Sequence, residues 1–275
     1  MMPIFIIGLL TMVLLLWPVL RRRWRERQRV VLRCRPIPPQ WEELLRTYVP
    51  LYHRLPSALR EQLHGHIQVL LTEKDFHGAG GLVVTDAMRL IVTAQAALLL
   101  LNRPCDYFPG LYSIVLHPAA FVVSRETWDA AGLHHRERQV LSGESWETGQ
   151  LVLSWDDSLA GGMVAGDGYN VVLHEFAHQL DLGSGAMNGT PRLDSRAERQ
   201  AWAAAFTPAF TEHCARVETG EDTWLDPYAA SDPAEFFAVL TEAFFELPGE
   251  LAVEYPAVYA CLRAYYRVDP KTWSA

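Results

Sequence analysis

Asn170-Val171-Val172-Leu173-His174-Glu175-Phe176-Ala177-His178-Gln179-Leu180 is the stretch on which the reading of this chain turns. Every residue in it tolerates a helix, and Gly183 offers a C-terminal stop. Residues four apart on a helix stand one turn above each other, so the imidazoles of His174 and His178 can converge on one ion at about 2.0–2.1 Å from each nitrogen. Glu175 then lies beside the ion, where a carboxylate can take a proton from an activated water and return it to a leaving amine. HExxH also arises by accident, but here it interrupts an apolar run, where His and Glu are costly to bury. The motif therefore predicts a Zn2+ site that hydrolyses peptide bonds.

Working outward, a glycine-rich loop precedes the motif, and before it residues 150–155 alternate Leu151, Leu153 and Trp155 with smaller or polar residues, as in a half-buried strand. Residues 56–72 carry Leu59, Leu63, Ile67, Leu70 and Leu71 at helical spacing, residues 87–101 read as a buried helix, and residues 81–85 and 113–116 as short strands. His64 and His66, two apart on the first of these helices, face different ways and read as surface or boundary histidines, not a second metal site.

Half of the 275 residues are apolar, enough for one sizeable core. A net charge of −8 excludes a nucleic-acid partner, because binding polyphosphate requires a basic face. Cys34, Cys105, Cys214 and Cys261 stand far apart with no CxxC spacing, the pattern of unpaired thiols in a reducing compartment.

Residues 1–20 contain no charged side chain, and as a helix they would span roughly 30 Å. Arg21, Arg22, Arg23, Arg25, Arg27 and Arg29 follow at once. A cleavable leader would carry its charge first and small residues at a cleavage site. The segment therefore reads as a transmembrane anchor, with the body on the cytoplasmic side by the positive-inside rule. Residues 21–40 read as a basic juxtamembrane segment and a linker stiffened by Pro36, Pro38 and Pro39, and residues 41–275 as the zinc metallopeptidase domain.

The third metal ligand is harder to read. A three-histidine site would need Gly at 181 and His at 184, where Asp181 and Ser184 stand. His213 is the one histidine downstream, in a polar stretch, so a carboxylate is expected. Glu198 has the solvated neighbours Arg196, Arg199 and Gln200. Glu235 and Glu242 share a helix predicted over residues 233–245 and, seven apart, lie on nearly one face. Asp232-Pro233-Ala234 is itself a good helix start, so Glu235 also fits a capping box. Spacing leaves the choice open. Asp181, a turn beyond His178, fits a group orienting a ligand imidazole, and equally a cap or a solvated side chain.

His174-Glu175-Phe176-Ala177-His178-Gln179-Leu180-Asp181 together with residues 226–239, Asp226-Pro227-Tyr228-Ala229-Ala230-Ser231-Asp232-Pro233-Ala234-Glu235-Phe236-Phe237-Ala238-Val239, resembles the Mlc titration factor A family of bacterial zinc peptidases. Residues 118–123 and 142–146 extend the likeness over most of the chain from about Trp41. The resemblance implies Glu235 as third zinc ligand beside His174 and His178, and Tyr228 as donor to the oxyanion, a role suited to an uncharged phenol. It implies a zincin-like α+β fold similar to the catalytic domain of anthrax lethal factor, preceded here by the transmembrane helix. An edge strand, for which residues 150–155 are the candidate, would then receive extended substrates.

A known member of that family is soluble and sequesters a transcriptional repressor, whereas this chain opens on an apparent span. The location expected is a bacterial inner membrane, single-pass, with peptide or protein substrates near the bilayer. The rival functions are a regulator-binding protein with a structural zinc and little turnover, and a membrane sensor of zinc.

Overall fold

The computed structural model describes residues 2–104, 106–128, 134–141, 143–146 and 149–273, the side chains of 2–15, 122–141 and 144–146 excepted. Leu90, Ile91, Val92, Ala94 and Ala97 surround one helix on every side, so α5 (Asp86–Leu98) has no face to give to water and takes a central place. On it pack α2 (Pro39–Tyr48), α4 (Ser57–Glu73), α6 (Trp155–Met163) and the motif helix α7 (Val171–Leu182). Two further helices, α8 (Arg196–Thr219) and α9 (Pro233–Glu246), complete this side of the core, α9 lying against α7. The chain closes with α10 (Pro248–Glu254) and α11 (Pro256–Tyr266).

The sheet is small. Its order is β1 (Asp75–Gly78), β2 (Ser113–His117), β6 (Gln150–Ser154), β5 (Gly143–Trp146). The first three run parallel, and β5 pairs antiparallel with β6, Gly143 opposite Leu153 and Trp146 opposite Gln150. A separate antiparallel pair joins β3 (Phe121–Trp128) to β4 (His134–Leu141). A helix-rich chain with a small mixed sheet is the α+β architecture expected.

Three expectations are corrected. The edge strand beside the motif helix is β5, and β6 is interior. Leu151, Val152, Leu153 and Ser154 are all buried, so the alternation in this stretch did not mark a half-exposed strand, and Trp155 starts α6. Residues 81–85 form no strand. Gly80 and Gly81 take positive φ, the Leu82 amide donates to the Ala79 carbonyl, and a side chain at Gly78 would collide with the Leu82 carbonyl, so this is a turn, and the strand lies before it. His66 is no boundary residue. Its Nδ1 meets the Tyr107 hydroxyl at 2.9 Å in the core, and burial pushes its pKa down to about 4.

Helix α1 (Met2–Arg33) continues through the arginine-rich stretch, which therefore is more than a linker. It packs on α4, where Gly65 admits the Arg33 stem, and Arg29 is buried between Glu73, Glu26 and Asp106. The Arg29 guanidinium forms a fork to both oxygens of Glu73 at 2.8 and 2.9 Å, and burial is outweighed by these carboxylates, which raise its pKa. Among the described residues no helix is long and apolar enough to cross a membrane, and the side chains of the predicted span up to residue 15 lie outside that description. Cys34, Cys214 and Cys261 are free, and Cys105 lies outside the described residues.

Candidate metal centre

Helix α7 starts at Asn170, whose side chain accepts from the Leu173 amide, and it ends at Gly183. Phe176 on its inner side meets Phe108 edge to face at 4.8 Å. The loop carrying Phe108 is held by buried Lys74, whose ammonium donates to the carbonyls of Phe108 and Leu111 at 2.7 Å each. Burial drives the Lys74 pKa down to about 8, a cost these two bonds offset in part. With its apolar face fixed in this way, α7 turns His174 and His178 towards the start of α9.

There Asp232 caps the helix alone, accepting from the amides of Ala234 and Glu235. The Glu235 side chain is thus not spent on a capping box. Its Oε2 lies 2.9 Å from His174 Nε2 and 3.4 Å from His178 Nε2, and the two Nε2 atoms are 3.2 Å apart. His174, His178 and Glu235 are the one group among the described residues whose ligand atoms gather this way, all within 4.8 Å of one another. Ligands at 2.0–2.2 Å from a tetrahedral ion stand about 3.3–3.6 Å apart, so the spacings of 3.2 and 3.4 Å are close to those around an ion, and the 2.9 Å pair opens by a few tenths of an ångström to admit one.

The surrounding charge agrees. Burial would depress the His174 pKa, yet hydrogen bonds to Glu235 and Glu242 hold it well above the ordinary value. Burial works on Glu235 in the opposite sense, and the two imidazoles outweigh it to hold the carboxyl far below the usual range. Both shifts say that the pocket favours positive charge between its carboxylates, the charge a divalent ion brings.

Glu175 is buried beside this group, and its Oε2 has no hydrogen-bond partner. Burial raises its pKa against the pull of His174 and His178. Strand β5 covers it closely, since a Cβ built on Gly143 would stand 2.5 Å from Glu175 Cγ. Gly143 is therefore the bare position that lets the edge strand pass over the carboxylate. The Tyr228 ring, half exposed, lies 6.2 Å from that of His174. Burial, then the charge and hydrogen bond of Glu235, raise the Tyr228 pKa, so the phenol stays protonated.

The other carboxylates have different work. Glu242 does not compete for the ion. Its Oε1 lies 2.8 Å from His174 Nδ1, and its Oε2 accepts from the Asn170 amide, so it fixes the ring that Glu235 faces. Glu246, one turn on, accepts from the Asn170 side chain at 3.2 Å and from the Gly168 amide at 3.2 Å, tying the glycine-rich loop to the same helix. Glu198 closes a capping box with Ser195, and His213 is buried with Nε2 at 3.3 Å from the Asp226 carbonyl. Asp181 orients neither ligand imidazole by a hydrogen bond. Its Oδ2 accepts from the amides of Asn188 and Gly189 at 2.8 and 2.6 Å, while Trp202 donates to the Gly189 carbonyl. Gly189 has positive φ and a Cβ there would meet the Pro233 carbonyl at 2.2 Å, so Asp181 seats this loop against the start of α9, the turn that presents Glu235.

An α+β fold with two histidines and a glutamate converging beside a buried carboxylate defines a metallopeptidase-type protein with a site for a metal ion. The family model for the glucose-regulated metallo-peptidase M90 matches residues 21–267, and the chain belongs to that family. It is 40% identical over 254 residues to an uncharacterized protein of Synechocystis sp., covering 90% of this chain and 89% of that one. It is 36% identical over 234 residues to Mlc titration factor A of Yersinia enterocolitica, covering 84% and 86%, and 34% identical over the same length to that of Yersinia pestis.

Proposed function

We propose that the protein is a zinc-dependent peptidase that hydrolyses peptide bonds with Glu175 as general base. One observation carries this reading. Three converging ligand atoms stand beside a buried carboxylate with an unpartnered oxygen, and a purely structural ion needs ligands but no adjacent base. Two imidazoles and one carboxylate suit zinc. His174, His178 and Glu235 would hold the ion, which when bound supplies Lewis acidity towards water and the scissile carbonyl.

The chain's own residues then divide the work. Glu175 takes the proton of the attacking water and passes it to the leaving amine, and burial, by raising its pKa, makes it a stronger base than an exposed carboxylate. Tyr228 donates its O–H to the developing oxyanion. Glu242 keeps His174 in one orientation. The outer edge of β5, unpaired among the described residues, offers main-chain groups to an extended peptide. The test is Glu175→Gln, which should keep one zinc per chain while turnover of an unstructured peptide falls about 10²–10⁴-fold. Equal turnover would remove the enzyme reading.

A second reading, binding of a transcriptional regulator with little catalysis, is favoured by the name of the Yersinia relatives, Mlc titration factor A. An inactive wild-type chain that retains zinc would favour it. We also propose that the chain is anchored in a bacterial inner membrane with its body in the cytoplasm. The support is the uncharged run 1–20 ahead of six arginines, and the exposure of Leu16, Trp17, Val19, Leu20 and Trp24 on α1. Such a tether would concentrate the site near membrane-associated substrates.

A further inference from the structure

A cavity of about 590 Å³ lies away from the metal centre, between α1, α8 and α11, and reaches the C-terminal end of α7 at Gln179, Leu180 and Gly183. Its apolar wall is built from Leu100, Leu180, Leu193, Trp202 and Tyr265. Five arginines line it: Arg22, Arg33, Arg103, Arg192 and Arg267. Four carboxylates also line it, so the sign of the cavity depends on which charges are already used.

The carboxylates are mostly used. Glu26 and Asp106 face the buried Arg29, at 2.6 and 3.4 Å. Glu198 accepts from the amides of Asp194 and Ser195 in the cap of α8. Asp194 is left, 3.7 Å from Arg267. Among the described residues, the guanidinium groups of Arg22, Arg33 and Arg192 have no hydrogen bond or ion pair, and that of Arg103 lies 4.0 Å over the Tyr265 ring, faces no carboxylate, and donates through Nη1 to the Leu99 carbonyl at 3.3 Å. Arg22 and Arg33 are eleven residues apart, three turns of one helix, so they stand on one side of α1 about 16 Å apart. The Arg29 pairing and the Gly65 contact hold that side against the body. Spare positive charge therefore rims an apolar, aromatic-walled cavity.

We propose that this cavity binds an anionic amphiphile, a phosphate ester with an apolar chain. The phosphate would sit among Arg33, Arg103 and Arg192, since guanidinium forks match phosphate oxygens in pairs, and the chain would lie on the Leu180, Leu193 and Trp202 wall. A lipid headgroup and a soluble phosphate ester share this chemistry.

The experiment titrates the full chain, held in dodecyl maltoside, with hexyl phosphate by calorimetry. Saturation at one ligand per chain is expected, with inorganic phosphate at least tenfold weaker and hexanol unable to displace the ester. Arg33→Gln with Arg192→Gln should weaken binding at least tenfold at unchanged melting temperature, because glutamine keeps the stem that packs on Gly65, and the corresponding double lysine variant should restore most of it. No saturation, equal binding by the glutamine variant, or inorganic phosphate as tight as the ester would overturn the proposal. Displacement of hexyl phosphate by phosphatidic acid carried in mixed dodecyl maltoside–phosphatidylcholine micelles, but not by the same micelles without it, traces the ligand to a bilayer lipid. Displacement by neither, with the ester still bound, traces it to a soluble compound.

Discussion

Around Arg29, three carboxylates share one guanidinium that the chain itself provides; around His174 and His178, three carboxylates gather with no permanent cation among them. Glu26, Glu73 and Asp106 keep 45%, 20% and 58% of their side chains in solvent, so water carries part of their charge. Glu235 and Glu242 keep 19% and 3%, and Glu175 is buried with one oxygen unpartnered. In the Arg29 cluster a permanent cation and solvent together carry the carboxylates, and the cluster docks α1. The histidine cluster leaves excess negative charge in a dry place, an arrangement that is costly unless a cation comes from outside. The contrast separates a structural use of buried charge from a site made to hold an ion.

Removing the ion should separate the two clusters most sharply. A chelator is expected to lower stability by about 4 kcal/mol if zinc is present at roughly a thousand times its dissociation constant. Melting scans with and without chelator measure this, and in His178→Ala the two scans should coincide. A wild-type melting temperature indifferent to chelation would break the comparison. Next in size is Arg29→Met, expected to cost about 3 kcal/mol in urea unfolding while zinc content stays at the wild-type level. The low end of the range for broken buried pairs applies because the stranded carboxylates can hydrate. Lost zinc in this variant would mean that the clusters are coupled. Smaller still is Glu242→Gln, which should weaken zinc binding about 10–100-fold by freeing the His174 ring. Competition with a chromogenic chelator reads that change, and an unchanged affinity would deny Glu242 its orienting role.

How much of this was legible in the sequence follows from the distance over which each feature is built. His174, Glu175 and His178 are set by one helical turn, and the sequence displays them directly. Glu235 was ambiguous because a helix start explains an N3 glutamate equally well; only the structure reveals that Asp232 caps alone. Glu242 was recognised as sharing the Glu235 face, but seven residues of helix separate the two by about 10 Å, so they take opposite nitrogens of one imidazole instead of one ion. Arg29 reads as one of six basic residues after an apolar run, because its partners Glu73 and Asp106 are 44 and 77 positions away. The edge strand was misplaced for a related reason. Alternation reports two faces of a strand but not its neighbours, and the close passage of Gly143 over Glu175 exists only once β5 has paired.

Glu246 extends the contrast to pH. It is buried on α9 a turn beyond Glu242, and burial pushes its pKa up to about 8 against hydrogen bonds from Asn170 and Gly166, with the charges of Asp167 and Glu242 pushing the same way as burial. A carboxyl with a pKa near 4.5 unfolded and about 8 folded binds more protons in the native state across that interval. Stability from this group is therefore fully present below about pH 4.5 and is lost as pH rises through about 8. Glu246→Gln removes the titration. At saturating zinc, the wild-type melting temperature minus that of the variant should fall steadily as pH rises across the interval, by up to about 1.4 kcal/mol of stability for each pH unit between the two pKa values. His66 and Lys74 also carry shifted pKa values, but both remain in the two proteins and cancel in the difference. A difference that stays level with pH would place Glu246 with the carboxylates of the Arg29 cluster, ionised and supported by its donors, and would confine the uncompensated charge to the metal centre alone.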